Sequence, residues 1–159
     1  MAVDIELCCS LIQAKLRTLS PQYLSNVPDV DGYFTALSDA LCPYAMTWPG
    51  PGSWYQKGGG YKTDIRDFAV YVFVESLAQK DIPTRTQQGI RALQAVRNLF
   101  IVPANIPLDS GAGTGYQITV ESREGNAQSD TGLTAGLPFS GAPWFGFTLR
   151  LSVRTMWIS

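Results

Sequence analysis

The sequence predicts an α+β fold: one mainly antiparallel sheet of about four strands, with two main helices on one face. Three observations lead there. Asp67–Glu75 reads Asp-Phe-Ala-Val-Tyr-Val-Phe-Val-Glu, β-branched and aromatic without Gly or Pro and bounded by a charge at each end, which is strand composition. Residues 3–19 and 84–100 repeat apolar side chains at spacings of three and four, the period of a half-buried helix. Phe145–Trp157 alternates strictly: Phe145, Phe147, Leu149, Leu151 and Val153 face one way, and Gly146, Thr148, Arg150, Ser152 and Arg154 the other, as in a strand with one core side.

Composition narrows the functions. A chain of 159 residues is read as a single domain, with two long loops at 49–64 and 124–144, and is long enough to bury a core without staples. The hydrophobic fraction of 45% against 16% charged argues against disorder. Twelve basic and 13 acidic residues leave a net charge of -1, so no strong field draws in nucleic acid and no reading of its sequence is expected. His is absent, which removes the commonest general base and metal ligand. Cys8, Cys9 and Cys42 lack metal spacing and read as reduced thiols in a cytosolic setting. No metal or cofactor is expected. Asp4 and Glu6 stand where a signal peptide wants positive charge, and no apolar run reaches membrane-span length.

In chain order, Val3–Leu19 forms the first helix, with Ile5, Cys8, Ile12, Leu16 and Leu19 on its buried stripe and Gln13 mostly off it. Pro21 closes it. Asp29-Val-Asp31-Gly32 resembles the opening of a calcium loop, but the glycine falls too early and no third ligand follows. Asp31 or Thr35 instead caps a short helix through Leu37 and Leu41. Tyr44–Trp48 reads as a short strand. Pro49–Tyr61 reads as a loop; its Lys57 lacks the glycine order of a phosphate loop. Thr84 and Gln87 suit a capping box for the second helix, whose stripe is Ile90, Leu93, Val96 and Phe100, with Arg85, Arg91 and Arg97 facing away. Gly111–Gly115 reads as a turn, because the alternating stretch Tyr116–Ser122 follows where a dinucleotide site needs a helix. Pairing that stretch with the last strand puts Glu121 near Arg150 or Arg154. Glu124–Trp144 reads as an extended flap.

Both faces of the 67–75 strand are apolar. The helices cover Phe68, Val70, Val72 and Val74. Little remains for Tyr71 and Phe73, so a neighbouring subunit or a folded-back loop must shield them. That imbalance points to assembly rather than catalysis. Asp64, Asp67, Glu75, Glu121 and Glu124 are the available acids, and none stands in a catalytic motif or beside a nucleophile; no catalytic residue is assigned.

The order of elements, with Ala69–Val74 as the strong strand, Thr84–Phe100 as the following helix and Phe145-Gly-Phe147 opening the last strand, resembles the tail terminator (tail completion) proteins of long-tailed bacteriophages. The resemblance implies a small α+β protomer that forms a ring, a hexamer, with copies of itself. That ring caps the tail tube and meets the head connector or another neck protein. It implies a virion protein of the tail or neck, present in the host cytoplasm during assembly. Another neck or minor tail protein fits the same pattern. Trp54, Tyr55, Tyr61, Tyr71, Phe73, Phe139 and Trp144 are the expected oligomer or partner contacts. A different reading takes Trp48, Trp54, Tyr55 and Tyr61 as a platform for sugar rings.

Overall fold

The computed structural model describes residues 5–33, 36–56, 60–77, 82–100, 106–109, 116–120, 128–139 and 141–158. Among the described residues two α-helices, α1 (Ile5–Leu16) and α2 (Thr86–Phe100), accompany seven strands. These are β1 (Tyr44–Gln56), β2 (Tyr61–Ser76), β3 (Ile106–Asp109), β4 (Tyr116–Val120), β5 (Gln128–Asp130), β6 (Thr134–Phe139) and β7 (Ala142–Ile158). All pairings are antiparallel within one sheet, ordered β1-β2-β7-β4-β3, with β5 and β6 also on β7. Seven strands correct the expected four. The additional ones are short or carry Pro and Gly, which edge strands and bulges tolerate. The expected loops shrink for the same reason. Pro49–Gln56 continues β1, residues 61–64 open β2, and the 124–144 stretch contributes β5, β6 and the start of β7.

β7 is the spine. Its 17 residues span about 55 Å at strand rise. One edge takes β2 from Tyr61↔Ile158 to Ser76↔Trp144, with a bulge between Phe73 and Glu75. The other edge is shared end to end by β6, β5 and β4. The two longest strands are thus hydrogen-bonded neighbours. Among the described residues no helix is long and apolar enough to cross a membrane.

Both helices pack on one face. Phe68, Val70, Val72 and Val74 of β2 join Phe147, Leu149, Leu151 and Val153 of β7 in one buried cluster with Cys8, Cys9, Ile12 and Leu16 of α1 and Ala92, Val96 and Phe100 of α2. Gln13, expected off the stripe, is fully buried. Its Nε2 donates to the carbonyls of Pro28 (2.7 Å) and Ala45 (3.1 Å), and its Oε1 accepts from Thr47 Oγ1 (2.8 Å). A buried amide with three partners ties α1 to β1 without an unmet polar group. The helix turn expected around Asp31 is a three-residue turn, Val30–Gly32, capped by Asp29 through the Val30 N–H; Thr35 lies outside the described residues.

The buried stripe of α2 is Gly89, Ala92, Val96 and Phe100; Val96 and Phe100 are as expected, while its first half is rotated by one position and Ile90 is 52% exposed. Gly89 explains the rotation. A Cβ there would sit 3.2 Å from Leu133 Cδ2 and Phe145 Cε1, so the missing side chain lets α2 lie close to the sheet. The expected capping box is absent. Thr84 gives its backbone N–H (2.7 Å) and its hydroxyl to Glu75 of β2, and Arg85 N adds a longer bond to the same carboxylate at 3.2 Å. A strand carboxylate therefore anchors the entry to the helix and suits its positive end. Arg85, expected to face away, sends Nη1 to the Asp39 carbonyl at 2.8 Å.

The far face corrects the central expectation of the sequence. Phe73 is 1% exposed and Trp144 is 4% exposed, both within this chain alone. Cys42, Tyr44 and Leu137 complete their buried cluster, with Leu37, Met46, Tyr71, Phe139 and Ala142 packed around it. The Phe73 ring meets Phe139 edge-on at 5.1 Å and Trp144 at 6.2 Å, and stacks near Tyr44 at 6.3 Å. The chain supplies this cover by folding the β6–β7 hairpin and the 37–43 segment over that end of the sheet. Phe73 and Trp144 are therefore core residues here, not an open contact surface.

Candidate assembly surface

The first half of β1 is a defended sheet edge. Ala45 N–H donates to the Asn26 carbonyl at 3.0 Å. The Tyr33 hydroxyl accepts from Thr47 N–H and donates to Thr47 O, both at 2.8 Å. Pro49 and Pro51 follow and have no N–H to offer. Burial drives Tyr33 above the ordinary tyrosine range, which keeps the hydroxyl a donor.

The second half is bare. From Pro51 to Gln56 every residue of β1 is exposed, and Trp54 stands 79% exposed. The register explains why. After the bulge between Pro49 and Gly52, Trp54 pairs with Asp64 and Tyr55 with Thr63. Side chains alternate between faces, so Trp54 projects to the helix side and Tyr55 to the far side. A hollow of about 380 Å³ beside Trp54 is lined also by Ile5, Lys62, Asp64 and Arg66. Asp64 is 4% exposed, with Arg66 Nε at 3.7 Å from its Oδ2. Asp64 Oδ1 and Arg66 Nε have no hydrogen-bond partner, while Arg66 Nη1 donates to the Gly50 carbonyl at 3.0 Å and so holds the bulge.

Beyond the sealed aromatic cluster the far face opens into a groove of about 420 Å³. Two cross-strand rows contribute to its floor: Trp48, Ala69 and Arg150, then Tyr71 and Thr148. Trp48 is 54% exposed. Arg150 donates from Nε (3.1 Å) and Nη2 (2.6 Å) to Asp67 Oδ2. Both contacts go to one oxygen of the carboxylate. Asp130 closes the β5 side, its Oδ2 at 4.0 Å from Arg97 Nε of α2.

The expected contact residues thus separate into groups. Tyr71, Phe73, Phe139 and Trp144 come together in one cluster, two of them buried and two half-buried. Trp54 and Tyr55 stay on the bare edge, on opposite faces. The side chain of Tyr61 lies outside the described residues, as do Glu121 and Glu124. The sequence offered Asp64 and Asp67 only among the available acids and Arg150 only as a partner for Glu121, not the Asp67–Arg150 pair. Asp67 and Arg150 have opposite charge and one parity on adjacent strands, which is the signal that finds them once the β2–β7 register is known. A third hollow, about 670 Å³, lies between Tyr23 and the outward side of α2. Cys8, Cys9 and Cys42 are free and buried; burial pushes the Cys9 thiol up to about 11 and the Cys42 thiol up to about 12. Among the described residues no three His, Cys, Asp or Glu side chains gather as a metal cage. Compared with known proteins, the sequence matches no family model and no curated protein.

Proposed function

We propose that this protein is a structural subunit of a virus particle, of the tail terminator kind. Copies assemble into a ring, a hexamer, that caps the tail tube and meets the head connector. The chain works by surface matching, without a catalytic step, in the tail or neck of the virion and in the host cytoplasm while particles form. One observation carries this reading: the outer half of β1 presents Trp54 almost wholly to solvent beside an adjacent open groove. Large aromatic side chains are enriched at the anchor points of protein interfaces. The edge cannot extend its sheet at Tyr44–Pro51, because its backbone donors there are occupied or missing, so side-chain docking is the mode it favours. The element order described above supports the same reading.

A different neck or minor tail component would use such a surface equally well. The sugar-platform reading loses ground, because Trp48 and Tyr55 lie on one face and Trp54 on the other. The test is negative-stain imaging of isolated tails incubated with the purified protein, alongside the protein alone. Ring-shaped density at one end of the tails is the expected result. A strict monomer that leaves tails unaltered would overturn the reading.

A further inference from the structure

We propose that the far-face groove is a carbohydrate site, taking a neutral sugar stacked on Trp48 and hydrogen-bonded to Asp67 and Arg150. This goes beyond the assembly reading and does not depend on it. Register builds the site. Ala69 has Trp48 and Arg150 as its cross-strand neighbours. Along β2 the nearest side chains on the same face are Asp67 and Tyr71. Ala69 is the smallest of these residues and forms a low floor among taller walls, and all of them line the groove. Trp48 and Tyr71 are the aromatic walls, and Asp67 and Arg150 the polar ones. Trp48 is more than half exposed, so its ring is open to a ligand. Trp54 and Tyr55, expected beside Trp48 in a sugar platform, do not line this groove; Tyr71 does.

The charges cancel. Arg150 donates to Asp67 through Nε and Nη2. Asp130 touches the rim, but its pairing with Leu149 turns its carboxylate to the helix side, near Arg97. One carboxylate and one guanidinium remain, so the groove favours no net charge in its occupant. A purely apolar occupant would waste the ion pair. A carboxylate accepts more bonds than Asp67 receives from Arg150, and a guanidinium donates more than Arg150 gives. Thr148 and Ser129 add hydroxyls towards β5. An uncharged ligand with a flat C–H face and a rim of hydroxyls meets both kinds of wall, and a pyranose ring is such a ligand. The volume of about 420 Å³ lies in the range of small-molecule sites and has room for a short oligosaccharide.

The experiment titrates the full chain with maltose, cellobiose, lactose and chitobiose, read by saturation-transfer NMR and tryptophan fluorescence. Binding of at least one disaccharide at millimolar concentration is expected. Trp48→Ala should weaken it about tenfold or more, and Ala69→Leu, which fills the floor, should abolish it. Circular dichroism melting confirms that each variant is folded. Glucuronic acid and glucosamine, which add a charge, should bind no better than glucose. A wild type silent towards all four disaccharides overturns the proposal, as does a preference for a charged sugar. Binding lost in Trp54→Ala but kept in Trp48→Ala would put the sugar on the other face and overturns it too. If Ala69→Leu instead changes self-association in light scattering while no sugar binds, the groove is a contact between copies and the carbohydrate site is refuted.

Discussion

At the scale of single residues, Phe73 and Trp144 set the clearest expectations. Phe73→Ala removes a ring packed against four aromatic neighbours and should cost about 3–5 kcal/mol in urea unfolding. Trp144→Phe should cost much less, since the buried indole N–H has no partner to lose. Equal losses from the two would contradict this packing. The thiols predict an alkaline limb. Burial holds Cys9 and Cys42 in the protonated form well above their ordinary value of 9.0. Below pH 9 their contribution is complete. As pH rises through 9 towards 11 and 12, the unfolded chain releases protons that the fold retains, and stability falls. The thermal midpoint should drop across that window, and drop less in the variant Cys9→Ala/Cys42→Ala.

At the scale of elements, the entry to α2 and the β2–β7 pairing are the joints to test. Glu75→Gln keeps the shape but loses the charge that Thr84 and Arg85 point at, and should destabilise by about 1–3 kcal/mol in denaturant titration. Gly146→Ala should be far worse for its size, because a Cβ there would overlap the carbonyl oxygen of Val72 on the paired strand; failure to recover folded protein is the expected outcome. Much of this level was legible in the sequence. α1, α2 and the cores of β2, β4 and β7 follow from period and composition. The outer half of β1 was not, because Pro-Gly-Pro-Gly reads as a loop, whereas an edge strand needs only one side of its backbone to pair. Val96 and Phe100 of the α2 stripe lie where expected, but its first half was placed one position late, at Ile90 and Leu93 instead of Gly89 and Ala92, because a glycine contributes nothing to an apolar count yet permits the closest approach to the sheet.

At the scale of the whole molecule, the sequence correctly exposes a sheet with two apolar faces, but not how the second is closed. That depends on which strand returns where. β6 lies in a stretch rich in Gly, Ser, Thr and Pro, so its local hairpin with β7 carries no strand-like pattern of composition. With Phe73 sealed, the reason to expect assembly moves from the cluster to the bare edge and its neighbouring groove. That Trp48, Asp67 and Arg150 share one face side by side follows only from the register. Loss of Trp54 should therefore change the unfolding free energy of the dissociated chain by no more than about 0.5 kcal/mol, since an exposed side chain away from the core changes stability little, while altering how copies associate. The most direct measurement is native mass spectrometry of the wild-type protein over a hundredfold range of concentration. A discrete ring-sized oligomer that dissociates on dilution is the predicted result; a single chain at every concentration, with its bare edge never covered, would contradict the account.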